Sequence, residues 1–171
     1  MYEFFCASLP ELRPGVLSPL TVDQFDEAAA SELSAHRLAQ LQGRGSDGET
    51  ATETPRVYSR YRTFDNYLRD RIARRRADRA GISVNLPDPE EYFQMTDFRL
   101  GAVFSAEDPQ EREALIDRIR WDYLDELEEG HFFDFDFLCV YRLRLELLAK
   151  LRNRSDEAGR RNFDAAVEEI V

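Results

Sequence analysis

The chain has 171 residues, 43% of them hydrophobic, enough for one domain with a real core that buries roughly 70% of the unfolded surface. Its formal net charge of −11 sets most of the surface against nucleic acid and anionic membranes, because a phosphate field is repelled by it. No stretch approaches the roughly 18 to 20 apolar residues that span a bilayer, and the opening MYEFFCASLPEL has neither a basic n-region nor a long h-region, so a soluble cytoplasmic protein is expected.

In chain order the signals are helical. Thr21-x-x-Gln24 is a capping-box pattern opening a segment with Val22, Phe25, Ala28 and Ala29. A second short helix is expected over 32–42, carrying Leu33, Leu38 and Leu41 before Gly43, with His36 on its polar surface. Residues 43–55, GRGSDGETATETP, are polar and aperiodic and read as a flexible surface loop. From Arg56 to Ala80 the apolar residues Val57, Tyr61, Phe64, Leu68 and Ile72 fall three or four apart and Gly81 supplies a stop, which predicts one long amphipathic helix.

Asp88-Pro89-Glu90-Glu91 and Asp108-Pro109-Gln110-Glu111 carry the same start signal, an Asp cap followed by Pro at the first helical position. Each predicts a helix, the second running to about Glu129 and ended by Gly130. A further helix is expected from about Asp134 to Asn153, with Phe137, Leu138, Tyr141, Leu145 and Leu148 on one face, and a last one from a Ser155 cap through Ile170. The expectation is an all-α, single-domain bundle of about six to seven helices over residues 1–171.

Chemistry-bearing motifs are scarce. Cys6 and Cys139 stand far apart among apolar neighbours, the pattern of two buried reduced thiols and not of a zinc site or disulfide framework. There is no glycine-rich phosphate loop, nucleophile elbow or HExxH pattern, so no catalysis and no cofactor are expected. The densest stretch is WDYLDELEEGHFFDFDFL, residues 121–138, with seven carboxylates around His131. Two readings of it stand side by side. In one, Asp122, Glu126 and Glu129 form the wet side of a helix whose buried stripe is Ile116, Ile119, Tyr123 and Leu127. Asp134 and Asp136 then serve as cap and second residue of the next helix, facing free N–H groups and the positive dipole end. In the other, His131, Asp134 and Asp136 converge with a group such as Glu128 on a divalent metal, in a dry shell of phenylalanines, to make a metal-dependent enzyme.

Charge is unevenly spread. Nine arginines against three aspartates give residues 56–79 a charge of +6 on an otherwise acidic chain. Arg69, Arg71, Arg74, Arg75, Arg76 and Arg79 read either as a solvated face held by the protein's own acids or, with Tyr58, Tyr61 and Tyr67 interleaved, as a docking surface for an acidic protein partner.

Three blocks carry a family likeness: YEFFCASLPEL at the start, DPQEREALIDRIRWDYLDELEEGHFFDFDFLCVYRLRLELL in the second half, and DEAGRRNFD near the end. Together they resemble a bacterial family of uncharacterised proteins, a domain-of-unknown-function group associated with the operons of V/A-type ATPases. The most specific element is WDxLDELxxGHxFDxDxL, here Trp121, Asp122, Leu124, Asp125, Glu126, Leu127, Gly130, His131, Phe133, Asp134, Asp136 and Leu138. In that family the gene stands where the C subunit (called d in eukaryotes) is expected, a helical socket between the rotating shaft and the membrane ring. The resemblance implies a non-catalytic, C-subunit-like helical adaptor of the central stalk, at the inner face of the membrane through its complex and with ATPase subunits as partners. The C subunit is a longer chain of similar bundles in tandem, and no such repeat occurs here, so the resemblance implies one shortened bundle or an accessory factor. A helical adaptor unrelated to ATPases is the remaining alternative.

Overall fold

The computed structural model describes residues 2–43, 54–89 and 91–153. Among these there are seven helices and no strand, so the chain is an all-α bundle. Most of the expected 43–55 loop, Glu90 and the expected helix from Ser155 lie outside the described residues. Among the described residues no helix is long and apolar enough to cross a membrane.

The bundle is organised around α7 (Phe135–Asn153) and α6 (Pro109–Glu128). Leu138, Cys139, Val140, Tyr141, Leu145, Leu147 and Leu148 of α7 are all buried, which is more than the single face expected, because a helix apolar on several sides must be covered on several sides. α2 (Val22–Glu32), α3 (Ala35–Leu41), α4 (Arg56–Ala80) and α6 all touch it. α6 in turn carries α5 (Gln94–Ser105) on its other side. Its buried set contains the expected Ile116, Ile119, Tyr123 and Leu127 and adds Trp121, Leu124 and the polar Asp117 and Arg120.

Caps fix where the helices begin. Thr21 and Gln24 make the reciprocal capping box at α2, Thr21 Oγ1 accepting from the Gln24 N–H at 3.2 Å and Gln24 Oε1 from the Thr21 N–H at 3.0 Å. Asp108 accepts from the N–H groups of Gln110 and Glu111 ahead of α6. α4 ends at Gly81, whose φ of 68° is left-handed and open to glycine without strain.

Three expectations need correction. The helix expected over 32–42 is shorter: Leu33 is extended, and Ser34 caps α3 by accepting from the Arg37 N–H, leaving Glu32 to α2. A short helix α1 (Glu3–Ser8) was not expected; it has no side-chain cap and depends on packing, with Phe5 stacked on Phe25 at 5.8 Å. The Asp88-Pro89 signal does not open a helix. Residues 82–89 have no regular secondary structure, Arg74 donates to the carbonyls of Leu86 and Pro87, and α5 begins only after Phe93. The tertiary environment overrides the local signal there: the Phe93 ring sits 5.3 Å from Phe64, 5.2 Å from Tyr67 and 5.5 Å from Tyr123. That anchor, and not the proline, sets the start of the helix.

Candidate functional site: the acidic corner and the arginine helix

The corner joins α6 to α7. Gly130 adopts φ 86° past the end of α6, and the His131 N–H donates back to the Glu128 carbonyl at 2.8 Å. Asp134 then caps α7, one oxygen accepting from the Phe137 N–H at 2.9 Å and the other lying 2.6 Å from His131 Nδ1. Asp136 is farther off, 3.9 Å from His131 Nε2. The hydrogen bond to Asp134 raises the His131 pKa above its ordinary 6.5 against the opposing effect of desolvation. For Asp134, desolvation works upward but is outweighed by His131 and the capped N–H, so its pKa falls below 3.8.

Asp122 and Asp125 of the motif, and Glu128 between them and the turn, also have cationic partners. Arg144 of α7, itself buried, places Nη2 at 2.6 Å from both Asp125 and Glu128, and its guanidinium lies over the Trp121 ring at 5.2 Å. Asp122 accepts from Arg99 of α5 and Arg118 of α6, each at 2.7 Å. Leu124, Leu127 and Leu138 are core, while Glu126 is exposed. Both oxygens of Asp134 are engaged within the chain, Glu128 points to Arg144 and not to His131, and no group of three or more potential ligands gathers among the described residues. The geometry is that of a helix–turn–helix joint cross-linked by charge.

The arginine helix is more occupied than its sequence suggests. Arg69 pairs with Asp65 at 2.8 Å, Arg71 with Asp97 at 2.6 Å and Arg76 with Glu113 at 3.8 Å. Arg74 holds the 82–89 strap, Arg79 donates to the Phe104 carbonyl, and Arg75 lies over the Phe104 ring at 5.7 Å. The interleaved tyrosines turn inward. Tyr67 is buried and donates to Asp97 at 2.8 Å. Tyr58 donates to the Leu41 carbonyl, and Tyr61 packs against the core beside Phe64. Desolvation raises the pKa of all three hydroxyls. The expected surface of arginines and tyrosines therefore loses its tyrosines, because α3 and α7 cover α4 at Tyr58 and α5 covers it at Tyr67.

Three cross-links between helices had no distinctive signal in sequence. Arg120 reaches Asp65 at 2.8 Å and Asp117 at 3.1 Å inside the α4–α6 seam. Arg142 holds Asp26 at 2.9 and 3.1 Å between α7 and α2, and Arg144 ties α7 to α6. The i,i+3 spacing of Asp117 and Arg120 and the i,i+4 spacing of Arg142 and Glu146 were visible, and such spacings are common on solvated helices.

The motif and the joint it builds fall within the part of the chain that a family profile recognises. The profile, described as "Protein of unknown function (DUF2764)", matches residues 65–171. The chain belongs to the DUF2764 family. No curated protein and no solved structure matches it. The DUF2764 match begins at Asp65, so it takes in the buried Asp65–Arg120 pair, α5, α6, the acidic corner and α7.

Proposed function

We propose that this DUF2764 protein is a non-catalytic cytoplasmic component of a V/A-type ATPase, a C-subunit-like helical adaptor of the central stalk or a factor accessory to it. The observation that carries the reading is that the WDxLDELxxGHxFDxDxL block, the element most specific to the resemblance, is consumed in joining α6 to α7. Of its five carboxylates, Asp134 caps α7 and Asp122 and Asp125 meet arginines. A joint of that kind suits a stiff part that holds neighbours in place and leaves no free acid–base pair in the corner. The metal-enzyme reading is disfavoured by the same geometry, since Asp134 spends both oxygens within the chain.

Contact with the complex is assigned to the outward arginines of α4, chiefly Arg75 and Arg76, and membrane association is indirect. The test is native purification of the tagged chain from its own host at low salt in mild detergent. Other ATPase subunits are expected to co-purify, less so as salt rises, because rim charge pairs are screened over about 8 to 10 Å. Arg75→Glu with Arg76→Glu is expected to leave a folded protein that no longer co-purifies. If the wild type brings down no ATPase component, the assignment fails.

A further inference from the structure

An apolar groove opens along the α6–α7 seam. Ala114 and Trp121 of α6, Leu147, Leu148 and Leu151 of α7, and Pro14 with Gly15 from the segment between α1 and α2 line a cavity of about 150 Å³. Its two charged members have partners within the chain: Asp117 accepts from Arg120 at 3.1 Å, and Arg118 donates to Asp122 at 2.7 Å. The groove therefore calls for an apolar occupant. Its volume sets the size of that occupant, because an apolar cavity of about 150 Å³ holds one benzene ring. A helix cannot enter it, but a helix lying across the mouth can insert one aromatic side chain.

The chain itself supplies such a helix. The described part of α7 ends at Asn153, two residues beyond Leu151, so the chain leaves the bundle beside the groove. The sequence that follows, RSDEAGRRNFDAAVEEIV over 154–171, carries Phe163, Ala166, Val167 and Ile170 at i, i+3, i+4 and i+7. On a helix these make one apolar stripe, with Arg161, Asp164, Glu168 and Glu169 around the rest of the surface. Phe163 is the one aromatic residue of that segment and comes twelve positions after Leu151. At about 3.3 Å per extended residue, the chain between them is long enough to turn back. The family profile runs on from α7 to residue 171, so it takes in both helices of the groove and the segment that follows them. A segment tethered this closely acts at an effective concentration of about millimolar, which places it ahead of any free partner with a similar stripe.

We propose that residues 160–170 fold back as a helix across this groove, with the Phe163 ring in the cavity against Trp121 and Val167 and Ile170 covering its apolar rim. The occupant is this chain's own segment and not a second protein. Docked there, the segment ties the far end of α7 to α6 beside the contact between Arg144 and the Trp121 ring. This holds whether or not the protein serves an ATPase.

The test uses the full chain. Benzoylphenylalanine placed at position 163 is expected, on irradiation, to cross-link within one chain to groove residues of α6 or α7, located by peptide mass spectrometry. Trp121 is the one tryptophan of the chain, so its fluorescence reads the groove directly. Phe163→Ser is expected to shift the emission to longer wavelength, to increase its quenching by acrylamide and to lower the melting temperature by about 3 to 10 °C. Ala114→Glu sits on the exposed side of α6 at the groove. It puts a charge where the stripe lands and is expected to abolish the cross-link and to change the fluorescence in the same direction. Phe132→Ser, at an exposed phenylalanine of the corner, is the control and is expected to leave both readouts unchanged. A cross-link between two copies, a cross-link to another face of the chain, or none, overturns the proposal. So does Trp121 emission that stays at the wild-type position in both Phe163→Ser and Ala114→Glu.

Discussion

Replacing Arg120 by methionine tests whether the polar seam between α4 and α6 is a structural element. The Arg120 side chain is 10% exposed and lies between Asp65, 13% exposed, and Asp117, 8% exposed. Methionine keeps most of the volume and removes the charge. Asp65 retains Arg69 at 2.8 Å, but the seam is left with two carboxylates and one fewer cation. Removing one member of a buried pair costs about 3 to 5 kcal/mol; with Arg69 still present the lower end applies, about 3 kcal/mol. For a chain of this length that is a fall in melting temperature of roughly 6 to 12 °C. The control is Arg118→Met on the same helix. Arg118 is 58% exposed and its acid, Asp122, keeps Arg99, so the expected loss is below about 1 kcal/mol. Urea titrations followed by circular dichroism at constant m-value give both numbers. If Arg120→Met costs no more than Arg118→Met, burial is not what gives the seam its energy, and the argument fails.

The other predictions address the corner and the thiols. Asp134→Ala is expected to cost on the order of 1 kcal/mol and Asp134→Asn or Asp134→Ser much less, because either still accepts the Phe137 N–H; equal losses in a thermal-melt series would remove capping as the explanation. His131→Gln should show its cost only in a pH window. The raised pKa of His131 means its pairing stabilises fully below 6.5 and fades as pH rises through the folded value, and the lowered pKa of Asp134 means its share is present above 3.8 and lost as pH falls. The stability gap between wild type and variant should therefore be largest between about pH 4 and 6.5 and shrink as pH rises through the raised His131 pKa, and a gap that keeps growing above pH 6.5 into the alkaline range would contradict the pairing. Cys139 is fully buried with its thiol pushed up to about 12, first by desolvation, and Cys6 is buried and shifted the same way. Neither should react with a thiol reagent at neutral pH until the protein unfolds.

Where sequence sufficed, the signal was local and shared by every level of structure. The capping box at Thr21, the Asp108-Pro109 start, the Gly81 and Gly130 stops and the twenty-five residues of α4 stand where residue pattern puts them. Asp134 as the cap of α7 belongs to the same class. Sequence misled where a distant contact outweighed a local preference. Asp88-Pro89 is a good helix start until Phe93 is needed between Phe64, Tyr67 and Tyr123. Tyr58, Tyr61 and Tyr67 looked like interface residues beside arginine, yet α4 is wide enough in register to point arginines outward and tyrosines inward on neighbouring faces. Asp26 lies 116 residues from Arg142, and Asp125 and Glu128 lie 19 and 16 from Arg144, all on other helices, a relation that no periodicity encodes.

The arginines fall into two populations with different consequences. Arg120, Arg142 and Arg144 sit at the α4–α6, α2–α7 and α6–α7 seams, each holding carboxylates from another helix. A guanidinium is planar with fixed donors, so each such contact restricts the sliding and rotation of one helix against the next in a way that leucine packing does not. Replacing a whole such cluster, carboxylates included, by well-packed apolar side chains is often neutral or stabilising, because desolvation offsets the attraction, whereas removing one member is costly; what the clusters fix is register. Arg74, Arg75 and Arg79 hold only carbonyls and a ring face. The cations that carboxylates neutralise at the seams are met along this part of α4 by backbone carbonyls and an aromatic ring instead.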